Sequence, residues 1–243
     1  MKLLERKVAV VTGGSRGLGR AVAHRFSAEG AGVVVCSRSE SEVRLVEKEV
    51  RAEGGECMAL TADISRPLDV EELLRAVFNR YDRIDVLVNN ASLLGPRVPV
   101  LNYPYRDWLD VLEVNLTGTF LVTKAILKSM VEQRSGSIIN VSSGVGNVGK
   151  PRWGAYLVSK FGIEGFTSML AEEVRDMNVR VNAVDPGPML TPMRRAAYPD
   201  ENPNALKKPE EITDVFMYLA SERSEGVTGQ RFKAQGFRVP ARV

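Results

Sequence analysis

Histidine is almost missing from this chain: of 243 residues only His24 is one, and cysteine occurs just twice, at Cys36 and Cys57. No Cys/His ligand spacing exists, so no metal site is expected. The two thiols fall at the end of one predicted strand and the start of another, and read as small buried residues rather than a disulfide. His24 lies inside a predicted helix and reads as structural. Long runs of one charge are also lacking. The net charge of +3 is spread along the chain, which gives no nucleic-acid surface, although a mildly basic balance suits an anionic ligand. No apolar run approaches the roughly 20 residues of a membrane span. The stretch from Met1 to Lys7 lacks the apolar core and cleavage site of a signal peptide. Repeats, low-complexity tracts and linkers are absent too. These absences predict a cytoplasmic protein without metal, nucleic-acid or membrane partners. What is present, 44% hydrophobic and 26% charged residues, suffices for one large α/β domain spanning 1–243.

Apolar strands alternate with amphipathic helices along the first half of the chain. Lys7–Thr12, Gly32–Cys36, Cys57–Thr61 and Asp85–Ala91 read as strands, and 17–29, 40–53 and 68–81 as helices. That alternation predicts a doubly wound Rossmann fold: a parallel sheet of about seven strands, crossovers right-handed, helices on both faces. Farther on, helices are expected over 105–133, 155–176 and 209–221, and strands over 137–141, 179–184 and 230–234. Between them, residues 191–208 hold scattered Pro, Asn and Lys and read as an irregular, mobile substrate lid at the ligand edge.

The first strand runs straight into Gly13-Gly14-Ser15-Arg16-Gly17-Leu18-Gly19 and then a helix. Strand, glycine turn and helix are the context of a dinucleotide-phosphate site: glycine lets the backbone approach a pyrophosphate, and the helix start offers free N–H groups. The spacing departs from the common G-x-G-x-x-G. At the end of the second strand, where an acidic residue would select an unphosphorylated ribose, stand Ser37 and Arg38, with Arg16 in the preceding turn. Two cations favour a 2′-phosphate, hence NADP(H) over NAD(H); the alternative is that both arginines are merely solvated. Asp63, followed by Ile64, accepts either from an adenine amino group or from a helix start near Pro67. Asn89, Asn90 and Ala91 close the fourth strand, with amides able to tie it to its neighbours and to the cofactor.

Tyr156 and Lys160 are four apart on a predicted helix and share a face. A phenol titrates near pH ~10, and an adjacent ammonium is expected to lower that value toward the working range. Ser143 ends a buried strand at a Gly-rich loop and is placed to aim at the same point. Asn115, polar within an apolar helical stretch and followed by Gly118, marks either a kink with a freed carbonyl or an amide bonding nearby backbone. Ser92, Leu93, Leu94, Val145, Trp153, Pro188, Met189 and Met193 are expected to line an apolar substrate pocket. Arg97 or Arg152 is placed to meet an anionic group on an acyl carrier, unless both are solvated.

Thr12-Gly13-x-x-x-Gly17-x-Gly19, Asp63, Asn89-Asn90-Ala91, Asn115, Ser143, Tyr156-x-x-x-Lys160, and Asn182 before Pro186-Gly187 with Thr191 together resemble the classical short-chain dehydrogenase/reductase family over nearly the whole chain. The flavour is similar to 3-oxoacyl-[acyl-carrier-protein] reductase-type ketoreductases. The resemblance implies that Tyr156 exchanges a proton with a carbonyl oxygen, Lys160 binds the nicotinamide ribose, and Ser143 hydrogen-bonds the reacting oxygen. It further implies that Asn115 holds a relay water, that Pro186, Gly187 and Thr191 orient the nicotinamide, and that the protein is a homotetramer, with a dimer as the alternative. The substrate would be a small ketone or secondary alcohol, carrier-bound or free. Three departures stand out: Ser92 in place of Gly, Asp185 before Pro-Gly, and Lys233-Ala234-Gln235-Gly236-Phe237 in place of an Asp-Gly-Gly ending. A rival reading is an NADP(H) sensor or scaffold without turnover, disfavoured by intact Ser143, Tyr156 and Lys160. Sugar epimerase or dehydratase activity would need a longer C-terminal region.

Overall fold

Every strand pair in the computed structural model, which describes residues 2–240, is parallel; Met1 and residues 241–243 of the expected 1–243 span lie outside it. The strands are β1 (Val8–Thr12), β2 (Gly32–Ser37), β3 (Glu56–Thr61), β4 (Val86–Asn89), β5 (Gly136–Val141), β6 (Val179–Asp185) and β7 (Arg231–Lys233). They form one seven-stranded sheet in the order β3-β2-β1-β4-β5-β6-β7. Order reverses between β1 and β4, and the C-terminal ends of those two strands make the crevice where open α/β sheets take ligands.

Alternation along each strand sends neighbouring residues to opposite faces. Ala9, Val11, Val33 and Val35 bury against α1 (Gly17–Ala28), α2 (Glu40–Ala52) and the later α8 (Asp214–Ala220). Val10, Val34, Leu87 and Ile138 bury on the other side, against α3 (Pro67–Arg80), α5 (Thr119–Gln133) and α6 (Gly154–Glu173). Both faces are covered, which is why the strands read as continuous apolar runs in sequence. Cys36 and Cys57 are unpaired and buried within these layers, and burial pushes both thiols up to about 12.

Several boundaries depart from expectation. The long 105–133 helix divides into α4 (Tyr105–Leu112), a π-helical turn over Glu113–Gly118, and α5. The wide turn admits the buried Asn115 and ends at Gly118, where a Cβ would lie 2.8 Å from Ile64 Cγ1. The 155–176 helix closes at Glu173, and the 209–221 helix begins as a 3₁₀ turn over Pro209–Ile212 before α8. Segment 191–208 is less irregular than its composition suggests. Thr191 caps α7 (Pro192–Ala197) by accepting from the Arg194 N–H at 3.2 Å. Arg194 Nε donates to Glu201 at 2.6 Å, and a bridge joins Met189 to Lys207. Ala197 is buried, so this segment contributes to a core that the sequence reading denied it.

Candidate active site

Backbone carbonyls and short polar side chains fix the crevice at β1 and β4. Thr12 Oγ1 accepts from the Asn90 and Ala91 N–H groups at 3.0 and 3.1 Å. Asn90 Nδ2 donates back to the Thr12 and Gly13 carbonyls at 2.9 and 3.0 Å. Gly13, at φ +62°, needs the left-handed region, and a Cβ there would sit 2.8 Å from Ala91 Cα. One residue earlier, Asn89 Nδ2 donates to Thr123 Oγ1 and Asn140 Oδ1, both at 2.9 Å. Asn89 therefore ties β4 to its neighbours, as its amide suggested.

A cleft of about 540 Å³ follows this edge. Its wall includes Gly13, Ser15, Arg16, Gly17 and Leu18 of the glycine turn, then Ser37 and Arg38, then Asp63 and Ile64. Asn90 to Leu94, Pro186 and Met189 also line it, Thr191 stands against Gly17 of the turn, and Tyr156, Lys160 and Met193 complete the far end. Gly19 and Gly187 stand behind the wall. A Cβ on Gly19 would run into the Gly13 carbonyl, so this glycine serves helix-on-strand packing. The Gly187 N–H donates to Asp185 Oδ1 at 3.0 Å. Asp63 does not cap α3, whose N-cap residue is Arg66; its carboxylate accepts from the Ser65 N–H and hydroxyl at 3.0 and 2.7 Å. Of the expected apolar pocket, Val145 and Trp153 pack with Tyr156, Leu93, Leu94 and Met193 in a third apolar cluster rather than on the cleft wall. Pro188 also lies off the wall, its carbonyl accepting from Gln235.

At the far end Tyr156 and Lys160 are both buried. Lys160 Nζ donates to the Val141 carbonyl at 2.8 Å and stands 5.5 Å from the Tyr156 ring centroid. Burial pushes the phenol up to about 12, a hydrogen bond with Ser143 opposes this, and the Asp185 charge adds to it. Burial pulls Lys160 down to about 8, with Glu164 opposing. The expected lowering of the phenol by the ammonium is therefore corrected in this structure. Desolvation of two buried groups outweighs their proximity, and the ammonium is turned toward a carbonyl.

Asn115 follows the backbone-bonding alternative. Its Oδ1 accepts from the Leu93 N–H at 2.7 Å, and its Nδ2 donates to the Leu93 carbonyl and to Ser159 Oγ at 2.9 and 3.0 Å. Its own carbonyl accepts from Thr119 Oγ1 at 2.9 Å.

Two features escaped the sequence reading. Glu42 lies on the cleft wall, accepting from Ser15 Oγ at 2.9 Å and facing Arg16 Nη1 at 3.9 Å. The Ser39-x-x-Glu42 spacing of a capping box was the available signal; here Glu42 crosses to the glycine turn. The second feature is a half-buried charge network behind Ser143. Arg231 donates from Nε to Glu164 at 2.8 Å, and from Nη2 to Asp185 at 3.1 Å and the Ser143 carbonyl at 3.0 Å. Ser142 Oγ donates to Glu164 as well. The unusual Asp185 is thus neutralised by Arg231, for which no local sequence signal exists.

The family profile described as short chain dehydrogenase matches residues 7–202. YciK of Escherichia coli K12, described as an uncharacterized oxidoreductase, is 35% identical over 241 residues, covering 98% of this chain and 95% of its own. A 3-oxoacyl-[acyl-carrier-protein] reductase of Synechocystis is 38% identical over 249 residues, covering 97% and 98%. A crystallised short chain dehydrogenase of Shigella flexneri, complexed with NADP, superimposes with a TM-score of 0.93 at 34% identity, covering 96% of this chain and 99% of that one.

Proposed function

The chain belongs to the short-chain dehydrogenase family and is a nicotinamide-dependent oxidoreductase, and from that premise we propose that it interconverts a ketone and a secondary alcohol using NADP(H). The carrying observation is that the buried Tyr156 phenol, with Ser143 near enough to oppose the rise in its pKa and Lys160 one turn away, ends the same cleft that begins at the glycine turn. When bound, the coenzyme supplies or accepts the hydride. Everything else falls to this chain's residues. Tyr156, neutral at physiological pH, gives its proton to the carbonyl oxygen in reduction; Ser143 donates a preorganised hydrogen bond to the same oxygen. Lys160 spends one donor on Val141 and has two more for ribose hydroxyls. At about 8 it also lies close enough to neutrality to pass a proton. Asn115 acts by holding the Leu93 backbone and Ser159 beside that pair.

The coenzyme fits the wall: the cleft volume suits a nucleotide ligand, the glycine turn lacks side chains that would block a pyrophosphate, and Arg16 and Arg38 flank the adenosine end. The NADP complex of the Shigella relative supports the phosphorylated form. Asp63, Ile64, Asn90, Ala91, Pro186, Gly187 and Thr191 would frame the rest. NADPH consumption with acetoacetyl thioesters, diketones, quinones and steroids tests the reading. Tyr156→Phe is expected to lose about 10²- to 10⁴-fold in kcat. Undiminished turnover in that variant would remove the phenol from the mechanism, and tight NADPH binding with no turnover of any carbonyl would favour a sensor.

The similarity to 3-oxoacyl-[acyl-carrier-protein] reductases supports a 3-oxoacyl thioester as one substrate to try. A homotetramer is part of the proposal, supported by Phe120 on α5 and Val158, Phe161 and Met169 on α6, all large apolar side chains left exposed. Light scattering should give about four times the 26.7 kDa chain; a monomer at micromolar concentration sinks it. Segment 191–208 would serve as the lid, its amide exchange slowing when coenzyme binds. A cytoplasmic setting is supported by two unpaired buried thiols, and cell fractionation reads it out.

A further inference from the structure

Of the five buried side-chain polar atoms without a hydrogen-bond partner among the described residues, four belong to Ser92, Arg97, Tyr103 and Trp153. These residues lie in the chain leaving β4 and at the start of α6, beside the phenol. Trp153 is 7% exposed, its indole N–H is unpartnered, and its ring centroid is 5.6 Å from that of Tyr156. Arg97 is half-buried, its guanidinium 4.7 Å from the Trp153 ring and 4.5 Å from the Tyr198 ring. Its only hydrogen bond among the described residues runs from Nη1 to the Ala197 carbonyl; its Nε is buried with no acceptor. Lys150 Nζ reaches Tyr198 Oη at 2.7 Å and stands 5.4 Å from the Trp153 ring. The neighbouring Arg194 is paired with Glu201, whereas Arg97 meets no carboxylate. Arg152, the other arginine singled out in sequence, points to solvent.

A buried donor left unpaired costs about 1–3 kcal/mol. A native fold that gathers several such donors and an unneutralised guanidinium around the Trp153 ring, which itself packs on Tyr156, is built for an acceptor that arrives later. We propose that Arg97, aided by the Trp153 indole N–H and Lys150, anchors a carboxylate on the substrate, so that the preferred substrates are short oxo acids with the carbonyl a few bonds from the carboxylate. This rests on the ketone-reductase reading above. It differs from a carrier-bound thioester, whose phosphate lies a whole pantetheine arm from the carbonyl. In the reaction, one hydride from the reduced coenzyme goes to the carbonyl carbon and one proton from Tyr156 to its oxygen, giving a hydroxy acid and oxidised coenzyme. The carboxylate is unchanged.

The test compares 2-, 3- and 4-oxo carboxylates with their methyl esters in wild type, Arg97→Met and Arg97→Lys. The acid-to-ester ratio of kcat/KM should fall at least 30-fold in Arg97→Met and be partly restored in Arg97→Lys. An unchanged ratio would overturn the proposal and leave Arg97 as a latch on segment 191–198. A second readout needs no turnover. With Trp108→Phe leaving Trp153 as the sole tryptophan, butyrate should change its emission saturably, methyl butyrate should not, and Arg97→Met should abolish the response. Absence of that response overturns the anion site. If butyrate binds while no carbonyl is reduced, the reductase reading fails instead.

Discussion

The two halves of the cleft are held in place by different physics. On the adenosine side, β1 and β4 are pinned by neutral hydrogen bonds between Thr12, Asn90 and backbone carbonyls, beside a turn in which four of seven residues are glycine. On the carbonyl side, the Ser143 loop and the Asp185–Gly187 turn are held by a guanidinium reaching from β7 to two carboxylates. Neutral amides are cheap to bury and cheap to lose. Buried charges cost several kcal/mol each to desolvate, so removing one partner strands the others. The adenosine side should therefore tolerate loss of a single hydrogen-bonding side chain better than the carbonyl side does.

The largest expected effect tests that contrast directly. Arg231→Met strands Asp185 and Glu164 and should cost about 3 kcal/mol of unfolding free energy, whereas Asn90→Ala should cost about 1–2 kcal/mol. Urea denaturation of both variants measures this, and equal losses would erase the distinction. Arg231→Met should also lower kcat more than it raises coenzyme KM, because the Ser143 carbonyl loses its anchor.

Lys160 sharpens the contrast through pH. Its value of about 8 lies below the ordinary 10.5. Below pH 8 both folded and unfolded chains carry the proton, and the full burial penalty applies. Between about 8 and 10.5 the unfolded chain keeps a proton that the folded one has lost, so stability rises with pH. The raised values of Cys36 and Cys57 act with the opposite sign from about pH 9, and that of Tyr156 from about pH 10, so they overlap this window. Comparison with Lys160→Met isolates the lysine: wild type should gain up to about 3 kcal/mol on the variant across that window. A constant difference would show that Lys160 is not desolvated.

The smallest expected effect lies on the adenosine side. Glu42 competes there for Arg16, at an exposed pair of little intrinsic worth. Glu42→Gln should tighten NADPH a few-fold and NADH hardly at all, measured by coenzyme titration. A loss of NADH affinity would mean that the carboxylate serves the ribose hydroxyls instead.

The same division governs what could be read from sequence. The glycine turn, the alternation of strands and helices and the Tyr156/Lys160 pair were legible because each is a short-range pattern fixed by backbone period. Arg231 was not: it lies 46 residues from Asp185 and 67 from Glu164, and nothing local distinguishes it from a solvated arginine. Asp185 was visible as an oddity without its explanation. The titration order of Tyr156 and Lys160 was misjudged because desolvation depends on what surrounds them, which spacing along one helix does not reveal. Segment 191–208 was misread for a related reason. Its helix is capped by Thr191 and buried through Ala197, against partners more than forty residues away.

The π-helical turn at Asn115 grips both backbone polar groups of a single residue, Leu93, from within a neighbouring helix. Side chains downstream of that grip can change identity while the main chain beneath them stays put. Such a scaffold lets substrate preference diversify by substitution alone, without disturbing the proton donor next door.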